Sequence, residues 1–207
     1  MKKLIKAIFI DFSGVISQHG CLFEPMLEFF PDEITAKQSK ELFNAAKIGK
    51  MSNKEYISKY SDEAWNWYFK KTAEHEGLMS FLTKNTLPLF IASNQVSDLI
   101  QKEIDILGVR EYFTDIFISD KLELAKPRKE FYEEVLKRAG FEAKESIFVD
   151  DQKRNLVVPK EMGMTTVWVN NTKVDPFGDN DEVTPDFSIY KIDELLEIIK
   201  KLNQPNH

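Results

Sequence analysis

Three apolar runs in this chain each stop at a polar residue: Ile8-Phe9-Ile10 before Asp11, Phe90-Ile91-Ala92 before Ser93, and Ile147-Phe148-Val149 before the Asp150–Asp151 pair. Runs this short, apolar at every position, predict strands buried on both faces, as in a parallel sheet covered by helices. In open α/β sheets, ligands lie beyond the carboxyl ends of the strands. Asp11, Ser93, Asp150 and Asp151 are therefore expected to meet at one edge of one sheet. A fourth segment, Lys126-Pro127, falls in a loop after another short strand.

The rest of the chain alternates accordingly. Helices are expected over Gly77 to Lys84, Ser97 to Leu107, Lys129 to Ala139, Val157 to Met162 and Ile192 to Leu202. Gly108 and Gly140 are placed to close the second and third of these. Strands are expected at Ala7 to Asp11, Leu87 to Ala92, Ile116 to Ile118, Ser146 to Val149, Thr166 to Val169 and, at an edge, Phe187 to Tyr190. That order predicts an α/β fold with a mainly parallel sheet and helices on both faces. Asn171 to Pro185 has the Asp, Asn, Gly and Pro of a loop.

Between about Gln18 and Lys71 the pattern changes to helix alone. Leu22, Phe23, Met26, Leu27, Phe29 and Phe30 recur at helical spacing, and Thr35 to Ala46, Asn53 to Tyr60 and Asp62 to Lys70 predict three more helices. Ser52 with Glu55 three residues on predicts a capping box. This stretch is expected to form a small helical unit, 18–71, inserted into a core of 1–17 and 72–207. Trp65, Trp67, Tyr68 and Phe69 could line a lid, but aromatic side chains so clustered are expected to fill that unit's interior.

Composition excludes several classes. The net charge of -6 lacks the basic excess of a nucleic-acid surface. The single cysteine, Cys21, cannot form an intramolecular disulfide and fits a reducing compartment. The apolar run after Lys2, Lys3 and Lys6 is cut by Asp11, too early for a signal peptide. No stretch is long enough to span a bilayer, so a cytoplasmic protein with no membrane partner is expected, as a monomer or homodimer.

Singly, each polar residue has an ordinary explanation. Asp11 could cap a turn, sharpened by Gly14, or act as a carboxylate nucleophile. Asp150 and Asp151 could begin a helix, or share a hard cation with Asp11, the Ser13 carbonyl, water and a phosphate. Lys126 could be solvated, or could hold a phosphate or a carboxylate. Ser93-Asn94, just ahead of a helix, suits an N-cap or a phosphate cradle.

Taken in order, these segments resemble the haloacid dehalogenase (HAD) superfamily of phosphatases and phosphotransferases. Asp11-Phe12-Ser13-Gly14-Val15 is similar to its first motif, Asp-x-Asp-Gly-[Val/Thr]. Ser93 in Ile91-Ala92-Ser93-Asn94, Lys126 in Ala125-Lys126-Pro127 with Phe131, and Val149-Asp150-Asp151 with Asn155 match the second, third and fourth. Phe113 to Ser119 and Gly163 to Val167 extend the resemblance over nearly the whole chain. It implies a Rossmann-like core, a small α-helical cap at 18–71 and a magnesium ion held by Asp11, Ser13, Asp151 and Asp150. Ser93, Asn94 and Lys126 would bind phosphate, and Asp11 would become an aspartyl phosphate.

The resemblance places a second aspartate, the general acid and base, where Ser13 stands. A hydroxyl is too weak an acid for that exchange, whose contribution is typically about 10²–10⁴-fold in rate. The resemblance then implies three alternatives. One is a phosphatase for a small phosphorylated metabolite that is slow, prefers good leaving groups, recruits His19, or forms a long-lived phosphoenzyme like the threonine-bearing ion pumps. The second is a 2-haloacid dehalogenase, although those usually lack the paired acids of motif four. The third is an impaired phospho-ligand binder. Lys153 and Arg154 lie near the fourth motif, on a helix face that the sequence leaves open.

Overall fold

A computed structural model of the chain describes residues 4–18, 34–170 and 183–204. His19, Cys21, the helical spacing of Leu22 to Phe30 and most of the loop Asn171 to Pro185 lie outside these residues. Six parallel strands form one sheet: β1 (Ala7–Ile10), β2 (Leu89–Ser93), β3 (Asp115–Ile118), β4 (Ser146–Asp150), β5 (Thr165–Val169) and β6 (Phe187–Ile189). Their order is β3-β2-β1-β4-β5-β6. The chain steps outward from β1 through β2 and β3, then returns to β1's other side with β4. That reversal opens a crevice between the carboxyl ends of β1 and β4, the place where such sheets bind ligands.

The apolar runs are explained by burial on both faces. Ile8, Ile10, Ile147 and Val149 enter one core layer, while Ala7, Phe9 and Phe148 enter the other. After β1 the described residues form three helices of the insertion, α1 (Ala36–Ala46), α2 (Asn53–Ile57) and α3 (Asp62–Lys70). They are followed by α4 (Leu78–Lys84), α5 (Ser97–Leu107), α6 (Ser119–Leu122), α7 (Lys129–Ala139), α8 (Val157–Glu161) and α9 (Leu195–Asn203). Leu78 and Phe81 of α4, Ile100 and Ile104 of α5 and Leu195 of α9 cover the first layer. Phe131, Tyr132 and Val135 of α7 cover the second.

The helices α1 to α3 have an interior of their own. Phe43, Tyr56, Tyr60, Trp65, Tyr68 and Phe69 pack together, with Val96 and Leu99 of the α5 region closing the cluster. The aromatics of α3 therefore fill the insertion, as expected; Trp67 is the partly buried exception. Asn53 also reaches the sheet unit, donating to Ser97 Oγ at 2.7 Å.

Boundaries differ where side chains compete with the backbone. The helix expected to reach Tyr60 stops at Ile57. Ser58 Oγ donates to the Glu55 carbonyl at 2.7 Å, a local bond that favours a turn. Ser52 caps α2 by accepting from Glu55 N at 3.2 Å. The full reciprocal box is found instead between Thr35 and Gln38 at the start of α1. The short α6, directly after β3, was not anticipated.

Candidate active site

Asp11 directly follows β1, and its backbone N–H donates to the Val149 carbonyl of β4 at 2.9 Å. The chain then turns at once, with Gly14 at φ 77°, a left-handed conformation that glycine adopts without a side-chain penalty. The Asp11 side chain is thereby held at the crevice, 6% exposed. Its Oδ1 accepts from Phe12 N at 2.7 Å, and its Oδ2 lies 2.9 Å from Lys126 Nζ.

Lys126 links two strands. Its ammonium, 3% exposed as a residue, lies 2.7 Å from Asp150 Oδ2 as well as reaching Asp11. Burial alone would push the ammonium down, but the Asp11 and Asp150 carboxylates outweigh burial and hold it above its ordinary value. The loop carrying Lys126 is fixed by Asn94. That carboxamide donates to the Lys126 carbonyl at 2.9 Å and accepts from Lys126 N at 2.8 Å. Asn94 thus lines the cavity while its side chain is engaged in positioning Lys126.

The two acids of β4's end face different ways. Asp150 is fully buried and saturated: besides Lys126, it accepts from Gln152 N at 2.9 Å and from Asn155 Nδ2 at 3.0 and 3.2 Å. Burial pushes its carboxyl up to about 6, against the pull of Lys126 and with Asp11 adding to the rise. Asp151 instead joins Asp11 in the cavity wall. Its backbone carbonyl accepts from Trp168 Nε1 at 2.8 Å, which ties this turn to β5. One oxygen from each of Asp11, Asp150 and Asp151 lies within 4.8 Å of the others. Three carboxylates so close, countered by one ammonium, suit a divalent cation of the oxygen-seeking kind.

Ser93, at the end of β2, is 1% exposed, and its Oγ has no hydrogen-bond partner. A buried hydroxyl left unpaired costs about 1–3 kcal/mol, which an incoming acceptor would recover. Ser13 is half-buried in the cavity wall, with its Oγ 3.5 Å from Gln95 Nε2. Gln95 is oriented by its own Oε1, which accepts from Val96 N at 2.8 Å.

Asp11, Ser13, Asn94, Asp151 and Asn155 therefore line one cavity at the β1–β4 crevice, with Lys126 and Asp150 bonded behind Asp11, Ser93 at the end of β2 outside its wall, and Phe131 in the core. The cavity between them holds about 40 Å³, room for a few waters or one small anionic group. Four further residues of its wall were not singled out from sequence: Phe43 and Lys47 from the insertion, Gln95 after β2, and Gln152 after β4. Arg154, left open above, lies in the wall too, with its Nε 3.1 Å from Gln152 Oε1. Proximity to a motif could have flagged Gln95 and Gln152. Nothing in the sequence distinguishes Phe43 and Lys47 from other helix residues.

Comparison with known proteins agrees with this architecture. A family model described as haloacid dehalogenase-like hydrolase matches residues 25–169. The chain belongs to this family. The glyceraldehyde 3-phosphate phosphatase of Methanocaldococcus jannaschii is 36% identical over 99 residues, which cover 47% of this chain and 42% of that protein. The chain thus spans about four-tenths of the length of that relative. Among solved structures, a mutant HAD family enzyme from Bacteroides thetaiotaomicron, in complex with magnesium and inorganic phosphate, superposes with a TM-score of 0.68. It is 21% identical, with 84% of this chain and 98% of that one covered. The L-2-haloacid dehalogenase of Xanthobacter autotrophicus, with chloropropionic acid covalently bound, gives a TM-score of 0.70 at 15% identity, covering 95% and 98%. At these identities the likeness to both structures is one of fold. Among the described residues, no helix is long and apolar enough to cross a membrane.

Proposed function

We propose that the chain is a magnesium-dependent phosphohydrolase acting on a small phosphorylated metabolite, with Asp11 as the nucleophile. The observation that carries this reading is the Lys126 ammonium held between Asp11 and Asp150 at 2.9 and 2.7 Å. Asp11 attacks phosphorus, and the phosphoryl group passes to its carboxylate as an aspartyl phosphate. Lys126 fixes the attacking carboxylate and, with the Ser93 hydroxyl, meets the charge of the phosphoryl oxygens. Asn94 serves by positioning the Lys126 loop. Magnesium would be held by Asp11, Asp151 and the Ser13 carbonyl, with Asp150 behind them, and would supply positive charge at the phosphoryl group. Residues 18–71 act as a cap over a core of 1–17 and 72–207, with Phe43 and Lys47 as its contribution to the cavity wall.

The magnesium and phosphate bound by the Bacteroides enzyme, and the phosphatase relative, support this reading over dehalogenation. Ser13 favours one competitor, a binder of phosphorylated ligands without turnover. Phosphate release from p-nitrophenyl phosphate with magnesium, lost in Asp11→Asn, is expected. Halide release without added metal, or ligand-dependent thermal stabilisation without turnover, would replace the proposal with one of the alternatives.

A further inference from the structure

The cavity wall is short of one thing a phosphomonoesterase needs. An alkyl or sugar oxygen leaving phosphorus departs as a strong base and needs a proton in the transition state. The side chain two residues after Asp11 is the Ser13 hydroxyl, and it faces the carboxamide of Gln95, whose orientation Val96 N fixes. Neither group can supply that proton near neutral pH. Among the described residues, the ionisable groups of the wall are Asp11, Asp151, Lys47 and Arg154. The first two are committed to attack and to the cation. Lys47 and Arg154 are cations that stabilise negative charge where it develops, and each is a far weaker acid than a carboxylic acid. Among the described residues, the wall is built to receive an anion and has no carboxyl group beyond Asp11 and Asp151.

The geometry points to phosphoric anhydrides of small acids, acyl phosphates and pyrophosphate-like compounds, as the substrates that this site turns over in preference to alkyl monoesters. This inference rests on the phosphohydrolase reading above and narrows it. In the first step an Asp11 oxygen bonds to phosphorus, and the bond from phosphorus to the bridging oxygen breaks. Its electron pair stays on that oxygen, which departs as a carboxylate or phosphate and needs no proton. Lys47 and Arg154 meet the negative charge that appears there. In the second step water bonds to phosphorus, and the phosphorus–oxygen bond to Asp11 breaks, its electron pair restoring the carboxylate. A proton of the water passes to a phosphoryl oxygen, and dihydrogen phosphate leaves.

The test is a leaving-group series on the full chain with magnesium: acetyl phosphate, pyrophosphate, p-nitrophenyl phosphate, phenyl phosphate and glycerol phosphate. kcat/KM for one or both anhydrides is expected to exceed that for glycerol phosphate by about 10³-fold or more, as loss of the general acid implies. The two anhydride arms tell a carboxylate from a phosphate leaving group. In Ser13→Asp the advantage should shrink to about 10-fold or less, through faster turnover of the alkyl ester. Lys47→Met, just after α1, should lower the anhydride rate about 10-fold, with an unchanged melting temperature attesting to folding. Equal turnover of glycerol phosphate and acetyl phosphate by the unaltered chain would overturn the inference while leaving the phosphohydrolase reading intact. So would alkyl turnover that disappears in His19→Asn, since an acid would then be present. If no substrate is hydrolysed and mass spectrometry finds no phosphoryl group on Asp11, both readings fall.

Discussion

The sheet rim and the helical insertion both face the cavity, but they are held together by opposite means. At the rim, charge is buried. Lys126, Asp11 and Asp150 sit in a network whose hydrogen bonds are nearly all supplied by the backbone or by neighbouring carboxamides. In the insertion, aromatic rings pack on rings: Tyr60 on Trp65 at 5.2 Å between centroids, Tyr68 on Phe69 at 5.3 Å. A buried ion network tolerates almost no rearrangement, because an unpaired charge in a dry site is costly. A small aromatic unit that meets the sheet unit through Val96, Leu99, the Asn53–Ser97 bond, Tyr68 beside Glu103 and Phe69 beneath Lys102 can be altered without touching that network. Alterations at the rim should therefore abolish chemistry, and alterations in the insertion should change which molecules are admitted.

The sharpest way to break this contrast is at Asp11. Asp11→Asn is expected to lower phosphate release by at least ~10³-fold with little change in fold, measured by single-turnover assay and by loss of the trapped phosphoenzyme. Lys126→Met should follow, destabilising the chain by about 3–5 kcal/mol in urea unfolding, because it strands two buried carboxylates. A milder cost, comparable to that of an exposed pair, would mean that the rim is not the rigid half of the molecule.

The seam between the halves carries its own test. Glu103 of α5 is fully buried, with Ser17 Oγ 3.4 Å from its Oε1. Burial pushes its carboxyl up to about 7, against hydrogen bonds from Tyr68 of the insertion and from Ser17. The folded chain thus holds this proton more tightly than the unfolded chain does. Its contribution to stability is present at acid pH and is lost as pH rises from the ordinary carboxylate range through 7. Glu103→Gln, which keeps the shape without ionising, should leave stability below about pH 4 nearly unchanged and raise it at pH 8 or above by up to about 3 kcal/mol. Denaturant titrations at the two pH values would measure this difference; equal effects at both would place the charge elsewhere. Asn53→Ala should have the smallest effect, about 1 kcal/mol, seen in KM before kcat, since it removes one bond from insertion to sheet.

The covered, mainly parallel sheet was legible because Ile8-Phe9-Ile10 and Ile147-Phe148-Val149 have no polar face, and only a sheet covered on both sides accommodates them; the order of its strands was not. Asp11, Ser93 and the Asp150–Asp151 pair were expected at one edge of that sheet for the same reason, since each follows such a run, whereas Lys126 sits in a loop and was singled out only by its place in the motif order. Lys47 and Phe43 were not, because helical spacing identifies an apolar stripe but does not say whether one end overhangs a neighbouring unit. Glu103 left a signal that was not used. It shares a buried helix face with Leu99, Ile100 and Ile104, where a carboxylate is out of place. The roles of Asp150 and Asp151 could not be separated from two identical letters. Strand pleat turns one inward to Lys126 and Asn155 and leaves the next facing the cavity.

The placing of β1 between β2 and β4 has a consequence for the chain's birth. β1 ends at Ile10, yet the strand that covers one of its flanks, β4, begins only at Ser146 and is made long after it. Until then Ile8, Phe9 and Ile10 present an uncovered row of amides and apolar side chains, open to capture by another nascent molecule. Fragments truncated ahead of Ser146 should therefore clump rather than persist as inactive monomers.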